Sequence, residues 1–475
     1  LIHCPKLIKM DEDFGIVCLL VVDMKVKDLR REYPDFIYKS FFFRQNGEDL
    51  EISFNFQVAP DIEFTPKLFL KNVPEGRLKQ VPQSVLNNLV FHMGLFEIPS
   101  YWKATCSPHI IIEAGKLDNY QTSWWTKLLT EGMGQFFWEN GIEAGSDFFK
   151  VESHGQVFEE PVEVSGEKIL IPVGGGKDSA VTLQLLGNRK PPVGVFMLNP
   201  IPASQRISEI AGVEEKIVVE RKIDLRLLDL NAKGYLNGHT PFSSYLACLS
   251  ILCAYLYGYS KVAFSNERSS NEANVISNGK RVNHQYSKTT EFEEDFRNYN
   301  EKYLTNVSYF SFLRPLHELQ IAKLFSETPA YFEAFRSCNV GQKTDSWCNH
   351  CPKCLSTYIL LHPFLEHDQI GKVFSANLFA DPSLYSTLEQ LVRDDCVKPF
   401  ECVGTRIELK AAMAMSIERL KRDGVTLPVL LQKALDNDLT DSSMVSVASK
   451  LLHDWNSDNF LDDELTNILR KALRL

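Results

Sequence analysis

The chain has 475 residues, of which 44% are hydrophobic and 24% charged, and these values exclude wholesale disorder, collagen and coiled coil. Its 61 Asp and Glu residues outnumber 51 Lys and Arg residues. The resulting net charge of −10 argues against nucleic acid as a partner, because phosphate contacts dominate such binding. The 11 cysteines are odd in number and scattered, which indicates a reducing compartment and not a disulfide scaffold.

The first part of the chain predicts an α+β N-terminal domain over residues 1–155. Residues 36–58 read as a β-hairpin, because FIYKSFFF and LEISFNFQV alternate in polarity around the turn signal QNGED. Residues 88–150 are rich in Trp, Phe and Gly, and we expect Trp124 and Trp125 to pack in a core. The polar, turn-rich residues 151–167 predict a linker.

Two apolar stretches raise the question of a membrane segment. Residues 14–22 are too short to span a bilayer and follow acidic residues, unlike a signal peptide. Residues 240–260 carry no charge, but they contain several Ser and Tyr and run directly into KVAFS, which reads as a strand. We therefore expect a buried helix, no membrane partner and a cytoplasmic location, with a plastid as the alternative if a transit peptide precedes this sequence.

Strands alternating with helices predict an α/β fold with a central parallel sheet over residues 156–365. KILIPV (168–173), PVGVFMLNP (192–200), EKIVVERKI (215–223) and KVAFS (261–265) read as strands. DSAVTLQLLGN reads as a helix, and another is predicted to begin at ISEIAGV (207–213). In such a sheet, ligands bind beyond the carboxyl ends of the strands. Residues 366–475 contain amphipathic stretches that predict a helical C-terminal region.

A glycine-rich turn follows the first of these strands and opens a helix. Three glycines let the backbone approach an anion, the helix N-terminus adds positive potential, and Lys177 is expected to supply a mobile cation. Neither the Walker A spacing nor G-x-G-x-x-G is present. The alternative is an ordinary strand-to-helix turn. The residues predicted to bind phosphate are Gly174, Gly175, Gly176, Lys177, Asp178 and Ser179.

GGGKDS resembles the PP-loop, SGGxDS, of the ATP pyrophosphatases, whose domain has a HUP-like fold. Gly174 departs from that pattern, because a Ser usually stands at this position. The resemblance implies that the loop binds the β,γ-phosphates of ATP with Mg²⁺ nearby. It also implies cleavage of ATP to AMP and pyrophosphate through adenylated intermediates.

Four cysteines with the spacing C-x9-C-x2-C-x2-C predict a structural zinc site. They are Cys338, Cys348, Cys351 and Cys354. Unligated buried cysteines or an iron–sulfur cluster are the alternatives, and His350 is a candidate extra ligand. A similar cysteine set follows the PP-loop domain of the deazaguanine synthases, which are related pyrophosphatases.

Polar residues cluster in two further regions. The segment after the KVAFS strand is predicted to face the ligand crevice, with a helix-capping loop as the alternative. KPFECVGT (398–405) is a non-helical stretch that reads either as a substrate loop or as a structural turn. The substrate-binding candidates in these two regions are Asn266, Glu267, Arg268, Asn271 and Glu401.

Taken together, the motifs resemble the UDP-N-acetylmuramoyl-L-alanyl-L-glutamate epimerases. The motifs are SYWKATCSPHI, GGGKDS, NGHTPFS, SNERSSNEAN, HQYSK, LRPLHEL, SCNVG…WCNHCPKC and KPFECVGT. The resemblance implies that the terminal L-Glu of a UDP-linked muramoyl dipeptide is inverted to D-Glu, with ATP and Mg²⁺. It also implies a place in peptidoglycan precursor synthesis.

Such chemistry is consistent with a PP-loop. Removing a Cα proton beside a carboxylate is unfavourable, because a second negative charge builds up next to the first. Conversion of the carboxylate into an acyl-adenylate removes the first charge and lets the second delocalise as an enolate. Epimerisation needs proton transfer on two faces of Cα. The residues expected to carry catalysis are Lys177, Asp178, His239, His284, Lys288 and Cys402. Their individual roles in proton transfer are not assigned by the sequence.

Two other functions are consistent with parts of the sequence. A PP-loop enzyme that modifies a nucleobase, or another carboxylate substrate, would suit the central domain and the cysteines, but not the large N-terminal region. A non-catalytic binding protein would not need the intact GKDS run.

Overall fold

The structure, a computed structural model, describes residues 25–475 except 75, 146, 159–160 and 278. The apolar stretch at residues 14–22 lies outside these described residues. Helix α1 comprises residues 25–32 of the described chain.

The N-terminal region mixes strands and helices, as predicted. Its next elements are β1 (Asp35–Asn46), β2 (Asp49–Val58), β3 (Ile62–Phe64), β4 (Lys67–Leu70), α2 (Arg77–Gln80), α3 (Gln83–Trp102), β5 (His109–Ile112), α4 (Asn119–Gly132), α5 (Gly134–Glu139) and β6 (Lys150–Ser153). The predicted hairpin is confirmed, since β1 and β2 pair antiparallel. The predicted linker is wrong at its start, because β6 pairs with β5 and Lys150–Ser153 belong to the sheet. Trp124 and Trp125 are buried.

The central region alternates strands and helices. Its elements are β7 (Ile169–Pro172), α6 (Lys177–Leu186), β8 (Gly194–Leu198), α7 (Pro202–Ile210), β9 (Lys216–Lys222), α8 (Leu225–Ala232), α9 (Phe242–Tyr257), β10 (Lys261–Phe264), β11 (Val275–Ser277), β12 (Lys280–Val282), α10 (Thr290–Tyr303), β13 (Ser308–Ser311) and α11 (Glu318–Ser326). All four predicted strands are present. Helix α7 begins at Pro202, five residues before the predicted start, because the prediction missed the favourable Pro at its first position.

The C-terminal region is helical, as predicted. It contains α12 (Pro352–Leu361), α13 (His367–Val373), α14 (Tyr385–Val392), α15 (Arg406–Arg422), α16 (Val429–Asp436), α17 (Ser443–His453) and α18 (Asp463–Leu473). Helices α12, α15, α17 and α18 pack on α11, and α18 also packs on α6, so the C-terminal region covers one face of the central sheet.

Eleven described strands form one sheet. Five of them are parallel in the order β9-β8-β7-β10-β13, so the strand order reverses at β7. A reversal of this kind opens a crevice at the carboxyl ends of the strands, where α/β proteins bind ligands. The sheet continues through β4, which pairs antiparallel with β9, into β2, β1, β5 and β6. It therefore runs across the predicted domain boundary at residue 155, and the boundaries themselves remain predictions.

Helices cover both faces of the parallel strands. Leu170 and Phe196 belong to one hydrophobic core, and their neighbours Ile171 and Val195 to the other. A strand buried on both faces has no need of polar alternation, which is why ILIPV (169–173) is a continuous apolar run. The result is a mixed α/β fold in which the ends of β7, β8 and β10 converge on one crevice.

The uncharged helix α9 is buried between α3 and the sheet, as predicted. Within the ranges that the structure describes, no helix combines the length and the apolar character needed to cross a membrane.

Candidate functional site

A cavity of about 420 Å³ lies at the carboxyl ends of β7, β8 and β10. Pro172, Leu198 and Phe264 line it from the strand ends, and Phe242 and Leu246 line it from α9. Its volume is in the range of sites that enclose small ligands. The cavity therefore occupies the crevice that the strand order predicts.

The glycine loop between β7 and α6 forms one wall of this cavity. Gly175 has φ +91°, and a Cβ built there would lie 2.9 Å from the backbone N of Ser204. Gly176 is the N-cap of α6 and has no capping side chain, so the first-turn N–H groups are not capped by that residue. A Cβ built at Gly174 would meet nothing within 4 Å. The loop thus presents backbone N–H groups and a helix N-terminus to the cavity, as an anion site requires.

Lys177 is buried and paired, and it is not the mobile cation that the sequence predicted. Its side chain is 5% exposed, and its Nζ donates to Asp178 Oδ1 and, over 2.7 Å, to Glu318 Oε2. Burial acts to lower the pKa of Lys177, but the two carboxylates outweigh burial and raise it. Lys177 is therefore a fixed ammonium behind the loop, and Asp178 and Ser179 line the cavity in front of it.

Three carboxylates meet beside this lysine. One oxygen each of Asp178, Glu267 and Glu318 lies within 4.8 Å of the others. Burial, followed by the charge of Asp178, raises the pKa of Glu318 above its usual range. The pKa of Glu267 is raised for the same two reasons. Carboxylate oxygens this close suit a divalent cation such as Mg²⁺, which would relieve their mutual repulsion.

Two of the four candidates after β10 face this centre. Asn266 lines the cavity and donates to Ser311 Oγ over 3.0 Å, and Glu267 belongs to the carboxylate cluster. The other two candidates lie elsewhere. Arg268 donates to Asp454 over 2.5 Å, and the amide of Asn271 exchanges hydrogen bonds with Thr290. We assign these two side chains to fixing the loop.

Lys288 and Cys402, which are 114 residues apart, meet beside the cavity. Lys288 lines the cavity, and its Nζ lies 3.1 Å from Cys402 Sγ. Glu401, the neighbour of Cys402, accepts a hydrogen bond over 3.0 Å from the backbone N of Lys353, which also lines the cavity. The KPFECVGT segment is non-helical, as predicted, and reaches the site from the C-terminal region.

His239 and His284 also meet, with ring centroids 4.4 Å apart. Gln135 Oε1 lies 2.5 Å from Nδ1 of His284. Burial, and then nearby cationic side chains, lower the pKa of both histidines to about 3. Both imidazoles are therefore neutral at pH 7, and neither is an anion-binding cation in this state.

The four predicted zinc ligands form a compact cluster. The Sγ atoms of Cys338, Cys348, Cys351 and Cys354 all lie within 4.8 Å of one another, and those of Cys351 and Cys354 are 3.5 Å apart. Tetrahedral Zn–S bonds of about 2.3 Å require sulfurs separated by about 3.8 Å. Backbone N–H groups donate to several of these sulfurs, which suits thiolates. His350 is exposed and lies outside the cluster. The four residues therefore fit a structural zinc ion.

Several polar residues of the site were missed by the sequence reasoning. Arg336 and Ser337 line the cavity beside the glycine loop, and the Arg336 backbone N donates to Gly175 O over 2.9 Å. Lys353 contributes a further cation, and Glu318 completes the carboxylate cluster. Ser337 and Lys353 are next to predicted zinc-ligand cysteines in sequence, and Glu318 belongs to the LRPLHEL motif. Membership of these motifs, or proximity to them, was the available signal.

Arg314 is a buried residue that fixes the site from behind. It pairs with Glu293 over 3.0 Å and is fully buried. It also donates to the backbone oxygens of Glu267 over 2.6 Å and Lys288 over 2.5 Å. One guanidinium therefore sets the relative position of two segments that carry candidate site residues.

Comparison with known proteins assigns the chain to a family. The sequence profile described as the MurL N-terminal domain matches residues 27–312, and that of the MurL C-terminal domain matches residues 334–445. Three curated relatives are each named UDP-N-acetyl-alpha-D-muramoyl-L-alanyl-L-glutamate epimerase. The relative from Salinispora tropica is 34% identical over 324 residues, which are 66% of this chain and 70% of that protein.

The other two relatives show similar agreement. The protein from Xanthomonas oryzae pv. oryzae is 31% identical over 73% of this chain and 80% of its own length. The protein from a Micromonospora species is 32% identical over 67% of this chain and 72% of its own length. The two matched ranges include the glycine loop, Asp178, Glu267 and the four cysteines, whereas Glu318 lies between them. The chain therefore belongs to the MurL epimerase family.

Proposed function

We propose that this protein inverts the terminal L-Glu of UDP-MurNAc-L-Ala-L-Glu to D-Glu. In this proposal ATP activates the α-carboxylate of that residue as an acyl-adenylate with release of pyrophosphate. Water hydrolyses the adenylate after inversion, which restores the carboxylate and releases AMP. The names of the three relatives support the epimerase activity and the muramoyl dipeptide substrate. The observation that carries the ATP-dependent step is the glycine loop, which lies where the strand order reverses and opens onto a cavity.

The loop would hold the β,γ-phosphates of ATP through its N–H groups. Gly175 permits the close packing against Ser204, and Gly176 has no side chain that could cap the N-terminus of α6. Arg336 and Lys353, which line the same cavity, would balance phosphate charge. Preorganised donors of this kind are typically worth about 10²–10³-fold in rate for each donor removed.

Asp178, Glu267 and Glu318 would hold Mg²⁺, and the bound ion would neutralise part of the polyphosphate charge. Lys177 would keep the carboxylates in place from the buried side. Zinc at the four cysteines would be structural, because all four positions of a tetrahedral site are taken by thiolates.

Four groups remain candidates for moving the Cα proton, and one of them, Lys288, lines the cavity. They fall into two pairs, Lys288 with Cys402 and His239 with His284. Each pair joins residues from different segments, so the fold creates both pairs. An adenylated carboxyl group has no formal negative charge, and a proton can then be removed from the adjacent Cα.

The test is to incubate the protein with ATP, Mg²⁺ and UDP-MurNAc-L-Ala-L-Glu, and to measure AMP and the configuration of the glutamate. We expect AMP together with D-Glu. AMP without inversion would contradict the proposed inversion of this substrate and would support a different carboxylate substrate. The absence of AMP from folded, zinc-loaded protein would contradict the ATP-dependent proposal.

A further inference from the structure

Cys402 is a half-buried cysteine whose sulfur contacts a cationic side chain. Its Sγ lies 3.1 Å from the Nζ of Lys288, and Lys288 lines the cavity. Cys248 and Cys253 lie within the apolar helix α9, where burial raises the pKa of each thiol. The KPFECVGT segment thus places a sulfur beside an ammonium at the edge of the candidate active site.

Both partners of this contact are held by rigid supports. The backbone oxygen of Lys288 accepts hydrogen bonds from the guanidinium of Arg314 and from Ser270 Oγ. On the other side, Glu401 is bound to the backbone N of Lys353 at the start of α12. The Lys288–Cys402 pair is therefore fixed by a buried arginine and by the helix that carries Cys354.

The surrounding charges favour the thiolate form of Cys402. Burial acts to raise the pKa of the thiol, but the positive charges of Lys288 and Lys353 outweigh burial and lower it. Asp178 acts in the opposite direction and does not reverse this outcome. A thiolate is the basic form of cysteine, so the pair combines a base with the cation that keeps it ionised.

The two histidines are less suited to this role. His284 Nδ1 is occupied by Gln135, and both rings are held neutral with a pKa of about 3. A group with so low a pKa is a weak proton acceptor at pH 7.

We propose that the Cys402 thiolate, held in place by Lys288, removes the Cα proton from the terminal L-glutamyl residue of the substrate. This inference rests on the proposed function, since it takes the acyl-adenylate as the species that is deprotonated. Lys288 is a positioning residue in this proposal, and Cys402 is the catalytic base.

The proton balance closes with water as the second reactant. The Cα–H bond breaks, an S–H bond forms on Cys402, and the electron pair moves into the adenylate carbonyl as an enolate. A water molecule then protonates Cα on the opposite face, and the resulting hydroxide takes the proton from the Cys402 thiol. The thiolate is restored, and the new Cα hydrogen comes from solvent.

The experiment follows the two half-reactions separately in D₂O. The wild type, Cys402→Ala, Cys402→Ser and the control Cys396→Ser are each supplied with ATP, Mg²⁺ and UDP-MurNAc-L-Ala-L-Glu. Cys396 is a half-buried cysteine close to KPFECVGT, and its Sγ contacts the carboxylate of Asp395. Pyrophosphate release and deuterium at the glutamyl Cα are measured by enzymatic assay and mass spectrometry.

Removal of a general base typically lowers the rate of proton transfer by about 10²–10⁴-fold. In both Cys402 variants, the rate of deuterium incorporation should therefore fall by at least about 100-fold more than the rate of pyrophosphate release. Cys396→Ser should match the wild type in both measurements. Wild-type exchange in Cys402→Ala would overturn the inference, and so would equal loss of both half-reactions in folded Cys402→Ser. An acyl group found on Cys402 by intact mass would also overturn it. No pyrophosphate from the wild type would instead contradict the proposed function.

Discussion

The ammonium of Lys177 lies 2.7 Å from the carboxylate of Glu318, although 141 residues separate them in the chain. This contact joins the end of the glycine loop to the first residue of α11. Both side chains are buried, so each depends on the other for its charge to be compensated. The loop that we assign to phosphate binding is thereby anchored to the carboxylate cluster assigned to Mg²⁺.

Lys177→Ala is expected to abolish detectable AMP formation and to destabilise the fold. Removing one partner of a buried ion pair costs about 3–5 kcal/mol, because the remaining charge is left uncompensated. Asp178→Ala should also abolish AMP formation, but with a smaller loss of stability, since its side chain is 32% exposed. AMP assays and urea unfolding check both variants, and circular dichroism shows whether they are folded. Full activity in both would contradict the assignment of the loop.

Gly175→Ala and Gly174→Ala form a matched pair that tests the shape of the loop. A Cβ at Gly175 would meet the backbone of Ser204 at 2.9 Å in a residue with φ +91°, whereas a Cβ at Gly174 would meet open space. A non-glycine residue in the left-handed region costs about 1–2 kcal/mol before any clash. We expect Gly175→Ala to lower AMP formation by at least about tenfold, since 1.4 kcal/mol corresponds to tenfold.

Gly174→Ala and Gly174→Ser should stay close to the wild type in the same assay. The serine variant restores the residue usually found at this position of the PP-loop, and the open space at Gly174 accommodates it. Equal losses of AMP formation in the Gly174 and Gly175 variants would contradict the prediction that only Gly175 is constrained by the shape of the loop.

The parallel strands and the glycine loop were predictable, because their signals are local. ILIPV (169–173) is apolar throughout, and the glycines follow it directly in sequence. The contacts of Lys177 with Glu318 and of Lys288 with Cys402 were not predictable, since each joins distant segments. The mobile role expected of Lys177 was wrong for the same reason: its burial depends on α11, which the sequence reasoning did not relate to the loop.

Helix α3 shows a second limit of sequence reasoning. It is buried around almost its whole circumference, because it packs against β1, β2 and α9, so it lacks the polar face that identifies an amphipathic helix. The order of the parallel strands was likewise invisible in the sequence, because strand order is set by packing and not by any local pattern. The site itself depends on that order.

Zinc removal is expected to lower both stability and activity. Cys354→Ser, or a strong chelator, should remove about one zinc ion per chain, and ligand loss of this kind typically costs about 4 kcal/mol when free zinc is about 1,000-fold above Kd. Activity should fall too, because the helix that begins beside Cys351 also holds Glu401 through the backbone N of Lys353. Metal analysis, thermal unfolding and AMP assays check these effects.

Cys396→Ser is the control for the zinc prediction, since Cys396 lies outside the cluster. It should keep its zinc and its stability. A folded wild-type protein without bound metal would contradict the zinc site.

The buried pair of Arg314 and Glu293 is expected to matter more for geometry than for the net stability of the fold. Arg314→Met leaves Glu293 unpaired and removes the donor to the backbone oxygens of Glu267 and Lys288. Breaking a buried pair on one side costs about 3–5 kcal/mol, whereas replacing both partners with apolar residues is often neutral. The double variant Arg314→Met, Glu293→Leu should therefore recover much of the stability lost in Arg314→Met.

Activity should not recover in that double variant, because Lys288 and Glu267 would still lack the guanidinium that positions their backbone. Urea unfolding measures the stability of both variants, and AMP formation with deuterium incorporation at Cα measures activity. Arg44→Met, which removes an arginine paired with Glu51 on the distant β1–β2 hairpin, is the control and should leave both activities unchanged. If the double variant recovers both stability and activity, Arg314 only stabilises the fold. If it recovers stability without activity, Arg314 also positions the site residues.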